Sequence, residues 1–198
     1  MIDEELRRKL LALRAEDTRM REGLLASGEL GPGYAPQMED VHRKNAARLR
    51  ELIAMYGWPA EDIAAKDGAE AAWLIAQHAI GKPEFQRNAL KLLEACATEG
   101  RVPACQAAYL EDRVAMYEGR PQRYGTQWMD DHKDGRIRPW ALADPNRVNE
   151  LRAQVGLEPM RQIPKPGPDL SAEERQKIEE KERGWQVWLV QKGWRRQS

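Results

Sequence analysis

Histidine is the side chain that most readily gives and takes a proton near neutrality. The chain has three, and two of them, His42 and His78, fall on otherwise apolar faces of helical patterns. His78 follows Gln77 in AAWLIAQHAI (71–80), ten residues without a charge in a chain that is 32% charged. A helix there has no charged face to turn outward, so Gln77 and His78 are both expected to be buried. Placing the remaining residues at about 100° per position adds further inward polar groups. Asp17 falls on the Leu13–Met20–Leu24 stripe, and His42 and Asn45 on the stripe of Met38, Leu49, Leu52 and Ile53. Gln86 flanks Phe85, Ala89, Leu92, Leu93 and Cys96, and Asp112 stands among Cys105, Ala108, Tyr109, Ala115 and Met116.

An unpaired buried carboxylate or imidazole costs on the order of several kcal/mol. Such groups persist when they satisfy one another or line a wet pocket. Taken singly, each is as well explained as a hydrogen-bonded core residue. Taken together their donors and acceptors are complementary, and a shared cluster is the economical reading. The chemistry that fits is general acid–base catalysis. In that reading His78 is the acid/base, His42 a second acid/base or substrate ligand, and Asp112 the carboxylate that orients His78. Arg113 would bind an anionic group, and Asn45, Gln77 and Gln127 would hydrogen-bond a substrate oxygen. Tyr124 would close the rim, and Asp17 and Gln86 would line the pocket.

Other chemistries find less support. Two His and two Asp on inward faces could hold a divalent ion. No HxxxH or HExxH spacing is present, however, so no metal or other cofactor is expected. No serine sits in a GxSxG turn, and Cys96 and Cys105 lie amid apolar residues, which leaves no evident nucleophile. GELGPGYAP (28–36) matches no phosphate-loop pattern and reads as a Gly/Pro connector.

The elements that must position these residues are nearly all helical. Leu6, Leu10, Leu13, Met20 and Leu24 mark a first helix over 3–26, and Val41, Leu49, Leu52 and Ile53 a second over 38–56, closed by Gly57-Trp58-Pro59. Asp67 is expected to cap a third helix that ends at Gly81. Pro83 opens a fourth, Pro103 and Gly119 bracket a fifth, and Asp144-Pro145 starts a sixth that ends at Gly156. Segment 120–143 reads as an irregular loop or short hairpin around MDDHKDG. EPMRQIPKPGPD (158–169) reads as a stiff linker, and Ser171-Ala-Glu-Glu174 has capping-box spacing for a final helix. That helix ends in WQVWLVQKGWRR, which could pack in cis or dock on a partner.

Composition narrows the partners. Lys+Arg and Asp+Glu balance at 32 each, which gives no global field for nucleic acid. No apolar run reaches the length of a membrane span, and the N-terminus is charged from Asp3 onward, unlike a secretory leader. A cytoplasmic protein is the expectation.

At these same residues the chain resembles a bacterial family of uncharacterised proteins, a domain of unknown function. The matching pieces are MEDVHRKN (38–45), GWP (57–59), AAWLIAQHAI (71–80), FQR (85–87), AYLEDR (108–113), RPQRYGTQ (120–127) and VGLEP (155–159). The resemblance covers about residues 10–160 and implies one ancestral unit, with the tail after Met160 as an addition. It implies no activity.

The sequence thus predicts an all-α protein: a helical domain of about six helices over 1–157, a proline-rich linker over 158–170 and an amphipathic helix over 171–198. Its expected function is that of a small acid–base enzyme, of hydrolase or lyase type, acting on a small polar or anionic ligand. The alternative is a non-catalytic interaction module with a structural polar cluster, meeting a homo-oligomer or protein partner through 171–198.

Overall fold

The computed structural model describes residues 1–29, 34–130, 136–165, 167 and 169–196. It is all-α but for one small hairpin, with seven helices among the described residues. The chain forms two compact units, Met1–Ala107 and Ala108–Ser198, whereas the sequence pattern places its boundary near 157.

The first unit is a helical assembly. α1 (Glu4–Ser27) begins where the Asp3 carboxylate accepts from the Leu6 N–H, and it ends at Gly28, whose φ is 74°. α2 (Pro36–Tyr56) carries Pro at its start, where the missing N–H costs nothing. It stops at Gly57, where φ 72° and ψ −165° suit glycine alone, and Trp58 and Pro59 are buried just beyond. α3 (Glu61–His78) and α4 (Pro83–Thr98) complete the unit. α1 packs on α2 and α3, α2 on α3, and α3 on α4. The core is Leu6, Leu10 and Leu24 against Val41, Leu49 and Leu52, with Ala69, Ala71, Ala72, Ile75 and Ala76 from α3 and Leu93 from α4. The alanines of α3 let its neighbours approach closely. A Cβ added to Gly68 would lie 3.5 Å from the Cα of Arg7 on α1.

α3 departs from the expected helix. It begins at Glu61, ahead of Asp67, and breaks at Ala65, whose φ of 56° and ψ of 169° are non-helical. Asp67 stands just past the break. Its Oδ1 accepts from the Gly68 N–H at 2.9 Å, and both carboxylate oxygens take the fork of Arg7, at 2.8 and 2.7 Å. That guanidinium holds the Asp67 carboxyl down to about 2.

The second unit holds most of α5 (Ala104–Glu118), then β1 (Trp128–Asp130), β2 (Ile137–Pro139), α6 (Val148–Gln154) and α7 (Ala172–Lys192). The strands pair antiparallel, with Met129 opposite Arg138. The expected hairpin is therefore present, although 131–135, most of MDDHKDG, lie outside the described residues. The proline-rich segment is tied down: Arg136 donates to the Lys165 carbonyl at 2.7 Å and Arg138 to that of Pro164 at 2.5 Å. The capping box of Ser171 and Glu174 forms as its spacing predicts. α7 then runs through Gly184 to Gly193, whose φ is 84°. Leu189 and Trp194 are buried, and the Trp194 and Trp185 rings lie 5.0 and 5.5 Å from that of Tyr117 on α5. Arg195 caps the end of α5 by donating to the carbonyls of Tyr117 and Met116. The tryptophan-rich tail thus packs in cis. No helix among the described residues is long and apolar enough to cross a membrane.

Candidate functional site

One carboxylate organises the first unit. Asp17, from the middle of α1, is only 2% exposed. Its Oδ2 lies 2.8 Å from Nδ1 of His78, the last residue of α3, and 3.1 Å from Nε2 of His42 on α2. The two imidazole rings are 5.0 Å apart and tilted by 42°. Burial pushes the Asp17 carboxyl up, but the two imidazoles of His42 and His78 close against it outweigh that and hold the group well below the usual carboxylate range. Asp17 is therefore an anion with two imidazoles converging on one oxygen.

The two rings are not equivalent. His78 forms a hydrogen bond to Asp17 through Nδ1, which leaves Nε2 as its remaining functional nitrogen on a side chain 29% exposed. Full burial was expected from the uncharged stretch around it. Helix α3 instead ends at this residue, so Gln77 is buried while His78 stands at the margin. His42 is buried, and its Nδ1 lies 2.7 Å from the Tyr34 hydroxyl, with the Tyr34 ring stacked on it at 5.6 Å. Its Nε2 is close to Asp17 yet makes no hydrogen bond, because its N–H is not directed along the line to Oδ2.

Two other inward polar residues hold this arrangement in place. Asn45, one turn beyond His42, donates to the Leu13 carbonyl at 3.0 Å, one turn before Asp17. The pair 42/17 and the pair 45/13 thus fix the register of α2 on α1. Gln86 on α4 is fully buried and donates to the carbonyls of Ala76 and Gln77, at 2.7 and 3.0 Å. Those carbonyls belong to the last turn of α3, so Gln86 sets where His78 stands. Asn45 and Gln86 thus donate their side-chain NH₂ groups to backbone carbonyls, a helix-positioning part that the helical period did not disclose.

Asp112 has a different office from the one assigned to it. It is fully buried in the second unit. Its Oδ1 accepts from the N–H groups of Arg123 and Tyr124, and its Oδ2 from the N–H and hydroxyl of Thr126. Asp17, not Asp112, is the carboxylate that orients His78. Both aspartates lie on apolar stripes, and periodicity does not say which partner each one meets.

The YGTQ segment is a turn wrapped on Asp112. Gln127 donates its N–H to Gln122 Oε1 at 2.9 Å and its side-chain amide to Thr126 Oγ1 at 3.0 Å. Tyr124 is buried, its carbonyl accepts from Arg152 at 2.6 Å, and the Arg123 guanidinium lies 5.2 Å from its ring centre. Gly125 takes φ 64° with Met160 close against it. These bonds describe a packed corner rather than a closing rim. Arg113, next to Asp112 on α5, is half-buried, and its charge partly offsets the burial that raises the Tyr117 phenol.

Tyr34 is the residue that sequence reasoning passed over. It lies in the Gly/Pro connector, four positions from which, 30–33, fall outside the described residues. An aromatic hydroxyl eight residues before an inward histidine was the signal available.

No curated protein and no solved structure matches the chain. A family model does match over residues 4–165, which takes in Asp17, Tyr34, His42, His78 and the Asp112 turn and leaves out α7. The chain belongs to that family, DUF6624, a family of unknown function.

Proposed function

We propose that the protein is an enzyme of hydrolase or lyase type that moves protons on a small polar or anionic substrate at Asp17, His42 and His78. One observation carries the reading: a single buried carboxylate oxygen holds two imidazoles, one of them on a half-exposed side chain. An anion on Nδ1 fixes the tautomer of His78 and stabilises the ring when it takes a proton at Nε2, which is the part a general base needs. His42, joined to Tyr34 and Asp17, is the second proton-transfer group or a substrate ligand. A bacterial, cytoplasmic setting belongs to the same reading.

A second reading has its own support. Asn45 and Gln86 donate to backbone carbonyls, which is the work of a structural network in a non-catalytic module. One experiment separates the two. The wild type is screened on small esters, amides, phosphate esters and hydroxy acids, and the substrate found is offered to His78→Ala and Asp17→Asn. Loss of about 10²–10⁴ in turnover with an unchanged circular dichroism spectrum is expected for a lost acid–base group. Full turnover in a folded His78→Ala protein would sink the enzyme reading. Unfolding of both variants would favour the structural one.

A further inference from the structure

We propose that Asp17, His42 and His78 bind a divalent first-row transition metal ion. The proposal deepens the reading of this site as an enzyme centre by naming its cofactor. Asp17, His42 and His78 each offer one ligand atom within 4.8 Å of the other two, and Asp17 Oδ2 faces His78 Nδ1 and His42 Nε2. Metal–ligand bonds of about 2.1 Å around a tetrahedral ion need ligand atoms roughly 3.4 Å apart. The observed separations of 2.8 and 3.1 Å reach that spacing by small side-chain rotations.

Three further features favour an ion over a purely hydrogen-bonded triad. First, His42 Nε2 is buried and lacks a hydrogen bond although a carboxylate oxygen is 3.1 Å away. A nitrogen that points beside its neighbour rather than at it is placed to share a third atom with it. Second, the other nitrogen of His42 meets the Tyr34 hydroxyl at 2.7 Å. Metal-bound imidazoles nearly always engage an oxygen through the second nitrogen, which fixes the ring and its tautomer. Third, the ligands come from three helices held in register by Asn45 and Gln86, so the geometry is built in before any ion arrives.

The donor set also selects the ion. Two imidazoles and one carboxylate suit zinc, iron, cobalt or manganese better than calcium or magnesium, which favour all-oxygen shells. Three protein ligands leave a coordination position open, as in catalytic rather than structural zinc sites. With the ion on Nδ1, the hydrogen of His78 moves to Nε2 and becomes a donor to substrate oxygen. Proton abstraction then falls to water polarised by the ion.

The test uses the full chain stripped with a chelator. Zn²⁺ is titrated calorimetrically, and Co²⁺ is followed by its visible absorption. One ion per chain is expected, with binding abolished in His42→Ala and Asp17→Asn. Because those variants remove buried groups, Tyr34→Phe is the milder arm: it deletes one hydroxyl and is expected to weaken binding by about 10–100-fold with the helical spectrum intact. A folded wild type that takes up neither ion at millimolar concentration overturns the proposal, as does binding unchanged in Tyr34→Phe and His42→Ala. Failure here is separable from failure of the enzyme reading. Turnover that depends on His78 and persists in chelator would keep the enzyme and remove the metal.

Discussion

Replacing Asp112 by Asn tests whether that carboxylate builds the fold or serves a substrate. The side chain is fully buried and accepts from three backbone N–H groups and one hydroxyl. An amide has one acceptor oxygen, so its NH₂ must face two of the four donors. Facing Arg123 and Tyr124 would set it against two N–H groups that cannot turn away. Facing Thr126 is milder, because the hydroxyl can rotate to accept, and only the Thr126 N–H is left opposed. The charge on the remaining bonds is lost as well. Hydrogen bonds to charged groups contribute about 1.5–3 kcal/mol each, so Asp112→Asn is expected to cost about 2–4 kcal/mol. Asp112→Ala strips all four donors and should cost more. Against a domain stability of roughly 5–15 kcal/mol, either loss is large. Urea unfolding followed by tryptophan emission measures it. A loss under about 1 kcal/mol would refute the argument, since a carboxylate that can be neutralised so cheaply is not holding the 123–126 turn.

Two more outcomes follow from the packing. The Asp67 carboxyl, held at about 2 by Arg7, lies below its unfolded value near 4, so its contribution is present above pH about 4 and disappears as the pH falls towards 2. Asp67→Asn should flatten that stretch of the stability curve, and urea midpoints measured between pH 5 and 2 would show an unchanged slope if the pair does nothing. Trp194→Ala removes a buried ring from the Tyr117 cluster and should destabilise the second unit by about 3–5 kcal/mol, whereas a tail that served only a partner would leave the unfolding midpoint where it was.

Helical period alone located Asp17, His42, Asn45, Gln86 and Asp112 as inward groups, and all five are buried. Period gives a face and not a partner, which is why Asp17 and Asp112 were interchangeable until the helices were assembled. Capping chemistry was equally legible at Ser171/Glu174 and at Pro83, because those signals are local, whereas Pro36 opens α2 from within what reads as a connector. The break at Ala65 was not, since an alanine at φ 56° carries no local preference for that conformation and is held there by its surroundings. Nor was the role of Gln86, which acts on carbonyls brought near by another helix, or of Tyr34, which sits in a connector without a helical period. His78 was misjudged for a related reason. Its uncharged neighbours implied depth, but its exposure is set by where the helix stops.

The closure of α7 on α5 has a consequence during synthesis. Arg195 bonds to the carbonyls of Met116 and Tyr117, and Leu189 and Trp194 complete the same packing. The second unit therefore stays unfinished until residue 195 has been made, whereas every residue of the first unit is made by Ala107. At about 5–20 residues per second, the roughly 90 residues between these points give the first unit a lead of some 4–18 s. The Asp17 cluster can thus assemble on a nascent chain that does not yet carry the α7 tryptophans, Trp185 and Trp188.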